Sequence, residues 1–454
     1  MDPVKKYRLY LVTFCATLAS FSVGVYIGWT SPVVPKLREQ TEDSPLDYGI
    51  TTVQEGWIGS LTAVGAFFGA LGIGYIAFKF GRKWAILSTS IFYIISYILL
   101  IVGNNIWYIY AARTLQGVGG GITHAVVPMY IGEIATNDLR GALGSMLLLS
   151  MSCGLVFVYS IGPYVDYMTL QWICLSIPII QFFLTIFFIP ESPYFFAMKN
   201  RTKNGIKSLR ILRGQREKTT EALMNQIKKE VDTSMLNKGS IVDVFKNRGY
   251  RKGLLIGCGC LVFQQLCGTK AVLVNSQSIF SSTNSSLDPA IATIIIGLAQ
   301  LVSNFPTPFI VERAGRKIVL IISSVGMCLA HLTLGTFFYI QTFGDASQIL
   351  WLPVPAMIGF NLFFGFGFGP LPWAVMGEMF PSNIKSSATS IACGIYWITS
   401  FAVVRWFPEL NALGPYYAFW FFGGMCALAT LFVLFVVIET KKISLQSIQE
   451  KLQA

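Results

Sequence analysis

Three glutamines and one proline-flanked tryptophan are the residues of this chain best suited to holding a small polar solute. Gln264 and Gln265 set two side-chain amides next to each other in an apolar run, and Gln300 adds a third from the following run. Each amide brings two donors and an acceptor oxygen, and burial obliges these groups to find partners. A polyhydroxylated solute supplies such partners. Neighbouring helices supply them too, so on their own the amides admit both readings. The run Gly369-Pro370-Leu371-Pro372-Trp373 interrupts a helix beside a flat indole face, which suits sugar C–H surfaces as well as plain packing. Covalent chemistry lacks its parts. The two histidines, His124 and His331, stand alone in separate apolar runs, and no HExxH, GxSxG or Walker A pattern occurs. No catalytic residue, metal site or cofactor is therefore expected, and an enzyme is not. His331 reads as a packing residue, while His124 is open between packing and function. The nine cysteines lie in or beside apolar runs and read as small buried residues.

The elements that must position these groups are membrane spans. Of 454 residues 54% are hydrophobic and only 12% charged, with a mean hydropathy of +0.59, which excludes a soluble enzyme, a disordered chain and a secreted disulfide scaffold. Crossing the hydrocarbon takes about 20 apolar residues. Twelve stretches qualify: 9–31, 56–77, 84–103, 107–130, 141–162, 170–189, 253–277, 290–311, 318–340, 350–376, 387–406 and 416–438. Glycine and proline make the seventh and tenth the least regular. The fold class is thus an all-α membrane protein. The first run follows Lys5, Lys6 and Arg8 and is too long for a cleaved leader, so it reads as a span entered from the cytoplasm.

The net charge of +12 is concentrated: the segment from Glu191 to Lys252 holds 15 lysines and arginines against 6 acids. Beside apolar spans this marks the cytoplasmic face rather than a nucleic-acid site. An even number of spans puts both termini on that face, together with the basic loops 79–83 and 313–317. The opposite face carries Glu39, Glu42, Asp43 and Asp47, and a sequon at Asn284 that predicts a glycan. Residues 1–190 and 253–440 form two halves of six spans, 191–252 a basic linker and 441–454 a tail. From Asn204 to Met235 apolar residues recur as in short amphipathic helices, packed under the bundle or lying on the membrane surface.

The halves repeat. Gly81-Arg82-Lys83 returns as Gly315-Arg316-Lys317 at an offset of 234, Gly132-Glu133 as Gly377-Glu378 at 245, Arg140 at that offset as Lys385, and Pro190-Glu191-Ser192 loosely as Ile438-Glu439-Thr440 at 248. A parallel six-plus-six repeat is the architecture of the major facilitator folds, with the solute at the midplane between halves. Arg82, Glu133, Arg140, Glu191, Glu312, Arg316, Glu378, Lys385 and Glu439 then gather at the inner ends of both halves. They are expected to act as a cytoplasmic gate whose ion pairs form on closing and break on opening.

These motifs resemble the sugar porter family of the major facilitator superfamily, insect facilitated trehalose transporters most of all. The resemblance rests on Gly81-Arg82-Lys83, Arg113, Val127 to Glu133, Leu139-Arg140-Gly141, Pro190 to Pro193, Gln264 to Gly268, Val311 to Lys317, Gly369 to Trp373 and Glu439-Thr440. It implies twelve helices in two bundles, alternating access, and Gln264, Gln265, Gln300, Trp373 and Trp397 facing a sugar. Four departures stand out. Lys270 replaces the family's asparagine and Leu148 its glutamine on span five, both of which remove sugar hydrogen bonds. Phe78 replaces an acid that Glu312 keeps in the second half, and Tyr194 an arginine, so a looser inner latch is expected. A lysine at mid-span costs about 2.5–3.5 kcal/mol. Lys270 is therefore neutral, hydrated by the chamber, or poised for an anionic solute. Proton-coupled relatives carry an acid on span one, where this chain has Val25 flanked by Ser22 and Tyr26. Facilitated diffusion of trehalose or a hexose across the plasma membrane is the expectation, with an organic-anion porter and a transport-poor sensor as alternatives. The sequence leaves the oligomeric state open.

Overall fold

The computed structural model describes residues 6–39, 44–136, 138–214, 217–236, 241–283, 287–305, 307–441 and 445–453, and the Asn284 sequon lies outside them. Six long helices form the first half: α1 Lys6–Arg38, α2 Thr52–Lys79, α3 Arg82–Val102, α4 Ile106–Ile134, α5 Arg140–Ile161 and α6 Tyr167–Phe188. Four short ones follow, α7 Pro193–Met198, α8 Thr202–Arg213, α9 Glu217–Leu236 and α10 Ile241–Lys246. The second half opens with α11 Arg248–Leu266, α12 Thr269–Val274 and α13 Ser276–Ser282, which together make its first span. Next come α14 Pro289–Ser303, α15 Thr307–Ala314, α16 Arg316–Phe343, α17 Pro353–Phe366, α18 Leu371–Glu378, α19 Ser382–Leu413, α20 Pro415–Phe435 and α21 Leu445–Gln453. Ten segments are long and apolar enough to cross a membrane. The remaining two of the twelve spans are α4, diluted by glycine and polar residues, and the split pair α14 and α15.

Helix ends depart from the apolar windows for local reasons. A capping box, in which Gln54 N donates to Thr51 Oγ1 at 3.3 Å and Thr51 N to Gln54 Oε1 at 2.9 Å, starts α2 four residues before the apolar run. Asn247 caps α11 by accepting from Gly249 N at 2.8 Å, so Arg248, Arg251 and Lys252 form a first turn rather than the end of the linker. At the far end of α19 the Arg405–Glu409 pair, 2.8 Å apart, sits one turn along the same face and carries the helix beyond its apolar window to Leu413.

Within the first half α1 lies against α5 at backbone distance. A Cβ on Gly24 would stand 1.9 Å from the Met151 carbonyl oxygen and 2.8 Å from Leu155 N. Backbone atoms cannot rotate away, so Gly24→Ala is expected to part the two helices at a cost of about 1–3 kcal/mol, the usual range for overpacking. Thermal unfolding in detergent checks this. Gly424→Ala, where nothing lies within 4 Å, is the control expected to leave the midpoint unchanged.

The amphipathic helices pack on protein rather than on a bilayer surface. Leu209 of α8 is buried with Met224 and Ile227 of α9 and Ala197 of α7, and Leu212 of α8 is buried in a core cluster with Leu9 and Val12 of α1. Arg8 on α1 donates to the carbonyls of Arg210 and Ile211 at 3.5 and 3.4 Å. The stretch read as a tail holds α21, whose Ile448 and Leu452 are buried, Leu452 next to Gly253 of α11. All of these lie at the same end of the bundle as the basic loops, called the basic end below.

Candidate functional site

Two broken spans bring the candidate residues together. α11 stops at Leu266 because Gly268 turns with φ +78°, a left-handed conformation that favours glycine, and α12 restarts beyond it. The break leaves Gln264 and Gln265 at the end of one helix and Lys270 at the start of the next. The second break separates α17 from α18, and Gln264 Nε2 donates to the freed Gly369 carbonyl at 2.5 Å, joining the two breaks. Gln264, Gln265, Gln300 and Trp397 are all at most 6% exposed, yet the three Oε1 atoms and the indole Nε1 have no partner. An unpaired buried polar atom costs about 1–3 kcal/mol. Four of them come from α11, α14 and α19.

An aromatic wall stands beside the amides. Trp373 meets Tyr396 edge to face at 5.1 Å between ring centroids, and Tyr396 meets Trp397 at 5.0 Å. His124 reaches Trp397 across the divide between halves, at 5.7 Å. Its exposed face on α4 continues through Pro128 and Gly132, one turn apart each, towards the basic end. Leu148 is exposed as well. His331 is a packing residue, as expected: its Nε2 pairs with the Cys267 carbonyl at 2.9 Å and its ring lies 4.3 Å from that of Phe360. Tyr396, and the buried unpaired Oδ1 atoms of Asn275 and Asn361, are absent from the sequence reading. The asparagines met the same criterion as the glutamines, an amide in an apolar run; Tyr396 had no signal beyond its neighbour Trp397.

Lys270 is not left without partners. Its ammonium donates to Ser400 Oγ at 3.0 Å and lies over the rings of Trp397 and Tyr396, at 4.1 and 4.5 Å from their centroids. All three partners come from α19, so the cation is held against its own half. It lines a small cavity between the halves.

A seal joins the halves at the end opposite the basic loops. Gln277 N donates to Ser31 Oγ at 3.1 Å, the Tyr159 hydroxyl to the Leu273 carbonyl at 2.5 Å, and Gly56 lies against the backbone of Arg405. Nearer the middle, Asn304 Nδ2 donates to Ser152 Oγ at 2.9 Å.

At the basic end the repeated charges form one device twice. Gly81 and Gly315, with φ of +111° and +93°, turn the chain so that the first amides of α3 and α16 meet a carboxylate. Arg82 N and Lys83 N donate to Glu191 at 2.8 and 3.2 Å, and Arg316 N and Lys317 N to Glu439 at 3.1 and 3.0 Å. A Cβ on Gly81 would fall 2.1 Å from Glu191 Oε2, so no side chain fits there. The guanidinium of Arg82 grips Glu133 Oε1 through Nε at 3.1 Å and Nη2 at 2.8 Å, as that of Arg316 grips Glu378 Oε1 at 3.3 and 2.9 Å. Ser192 and Thr440 complete the two clasps by donating to Glu133 and Glu378. Burial pushes the Glu191 carboxyl above its ordinary value despite three backbone donors and Arg82. Burial is also the largest single influence on Glu439, but four backbone donors together outweigh it and hold this carboxyl low.

Both clasps lie within one half, not across the divide. Arg140 and Lys385 are exposed beside them. Glu312 belongs to α15, and its side chain is outside the described residues. The Arg82–Glu133 pair is 8% and 14% exposed, against 22% and 31% for Arg316–Glu378. Phe78 takes the Lys199 ammonium over its ring at 4.6 Å, and the Tyr194 hydroxyl donates to Glu230 at 3.0 Å, so both departures bring contacts of their own.

A family model described as "Sugar (and other) transporter" matches residues 10–452. The chain belongs to the sugar transporter family. This sugar transporter is 34% identical over 454 residues to "Facilitated trehalose transporter Tret1" of Polypedilum vanderplanki, covering 99% of this chain and 89% of the relative. It is also 34% identical to the protein of that name from Bombyx mori, over 97% of this chain and 86% of the relative. Among solved structures, the "Partially occluded inward open conformation of the xylose transporter XylE from E. coli" superimposes with a TM-score of 0.79 at 23% identity, covering 96% of this chain and all of that one. The fold is that of the major facilitator superfamily, and the sugar transporter is a multi-pass membrane protein.

Proposed function

We propose that this protein is a uniporter that carries trehalose or a hexose down its gradient by alternating access. Residues 1–190 and 253–440 are the two moving halves, and residues 191–252 link them. The basic end and both termini lie in the cytoplasm, by the excess of lysine and arginine there, and the plasma membrane is the site of action. The described arrangement is then the inward-facing, sugar-free stage of the cycle: sealed outside, with the His124 face of α4 reaching towards the cytoplasm. Gln264, Gln265, Gln300, Trp373 and Trp397 bind the sugar. Arg82, Glu133, Arg140, Glu191, Glu312, Arg316, Glu378, Lys385 and Glu439 control the inner gate, each clasp keeping its half rigid while the halves rock. No chemical conversion of the sugar is involved.

One observation carries the reading: four buried, unpaired polar atoms sit beside an aromatic wall between two halves that touch at one end. Sugar hydroxyls satisfy donors and acceptors alike, and the rings take the C–H faces. The two relatives above bear the name of facilitated trehalose transporters, which favours trehalose as the first solute to test. An anionic cargo loses its motive, because Lys270 is held by Ser400, Tyr396 and Trp397 in the seal.

Uptake of radiolabelled trehalose, glucose and an organic anion into proteoliposomes tests this. Saturable sugar uptake is expected, with an initial rate unchanged by an imposed pH gradient, since α1 carries Val25 where a proton-coupled porter needs an acid. Binding without flux would favour the sensor, and a rate that follows the pH gradient would overturn uniport.

A further inference from the structure

One cavity in the seal at the outer end is lined by two basic side chains and, among the described residues, by no acid. Arg113, on α4, is 1% exposed. Its guanidinium donates to the Ile58 carbonyl at 3.0 Å, the Tyr26 carbonyl at 2.8 Å, Gln116 Oε1 at 2.7 Å and Thr30 Oγ1 at 2.8 Å, all neutral acceptors. Arginine stays charged in proteins and has five N–H groups, so the charge persists and one donor remains. Lys270 gives one N–H to Ser400, and the aromatic faces that hold it supply no acceptor oxygen. Arg113 and Lys270 line the same cavity of about 20 Å³ with Tyr26, Thr62, Trp397 and Ser400, and no acid is among its described lining residues. Trp397, itself 4% exposed, contributes to the lining.

We propose that this cavity binds a single halide ion, chloride in the cell, between Arg113 of the first half and Lys270 of the second. Like charges facing one cavity in a low-dielectric interior repel, and an anion between them replaces that repulsion by two attractions. The donors left over on both cations are what an anion takes. The volume is that of about one water-sized particle, which excludes sugars, carboxylates and phosphate and separates this ion from any cargo. Because the lining comes from α1, α2 and α4 on one side and α12 and α19 on the other, outward opening pulls the site apart. The halide therefore binds the outwardly sealed state and shifts the population towards it.

Thermal unfolding of the purified full-length protein in detergent, without sugar, tests the site. Sodium chloride or bromide replaces sodium gluconate at constant ionic strength. A saturable rise in the midpoint of about 2–4 °C is expected in both halides, following mass action. Lys270→Asn and the cavity-filling Ala63→Val are each expected to abolish the rise. Superimposable curves in chloride and gluconate would overturn the proposal and leave one water in the cavity; so would a halide effect that persists undiminished in either variant. If one variant does not fold, the other still locates the effect, and the wild-type comparison decides whether an ion binds at all. No sugar enters the experiment, so the result is independent of the solute carried.

Discussion

Replacing Arg82 by alanine is expected to destabilise the first half by about 3–5 kcal/mol, the range for breaking a buried ion pair at one partner. The loss is large because Glu133 stays behind, 14% exposed, having given up both guanidinium bonds. The Ala77 carbonyl, which accepts from Arg82 Nη1 at 3.2 Å, loses its donor too. Arg82→Lys is not expected to restore the clasp: one ammonium cannot hold Glu133 and Ala77 with the geometry of a planar fork. Arg316→Ala in the matching clasp should cost less, because that pair is two to three times more exposed and water can solvate Glu378. Thermal unfolding in detergent orders the two variants. Equal losses, or a larger one at Arg316, would show that the first clasp is not the stronger.

Gln265→Ala is expected to lower kcat/KM for the transported sugar about 5- to 150-fold, the factor corresponding to a lost interaction of about 1–3 kcal/mol. Stability should move the other way or not at all. In the sugar-free protein the buried Oε1 of Gln265 has no partner, so its removal relieves an unpaired acceptor and offsets the loss of the amide's hydrogen bond with Tyr396. Gln264 is the less clean choice, since its Nε2 also ties the two helix breaks together at Gly369. Initial uptake rates over a range of sugar concentrations, beside thermal unfolding of the same preparations, separate the two effects. A variant that unfolds earlier while its kcat/KM stays within about twofold would mark the glutamine as helix packing.

The repeat shows why some of this site was legible and some was not. The Gly-Arg-Lys and Gly-Glu pairs are local strings whose residue types are dictated by a tight turn and a charge, so they survive in recognisable form in both halves. The correspondence of Ser192 with Thr440 was faint as text but is close in space, where both hydroxyls donate to the clasp carboxylate. The same strings pointed to ion pairs across the divide. The guanidinium of each clasp reaches a carboxylate at the far end of the next span in its own half, a pairing set by helix packing that linear spacing does not encode.

Lys270 makes the contrast sharpest. Composition and hydropathy by themselves determined a twelve-span membrane protein with one basic face, because hydrocarbon thickness and charge asymmetry act on stretches of chain whatever their neighbours, and the repeated strings added the duplication. They also isolated the amides, since any amide in an apolar run needs a partner. Only the tertiary structure decided who the partners are. It folded Trp397, Tyr396 and Ser400 around a lysine that looked unpaired, turned that lysine into the seal beside Arg113, and left the glutamine oxygens empty. Those outcomes depend on residues more than a hundred positions apart arriving within a few ångströms. Hydrogen bonding and charge–π attraction operate only at that range, so their result is a property of the packing and not of the string.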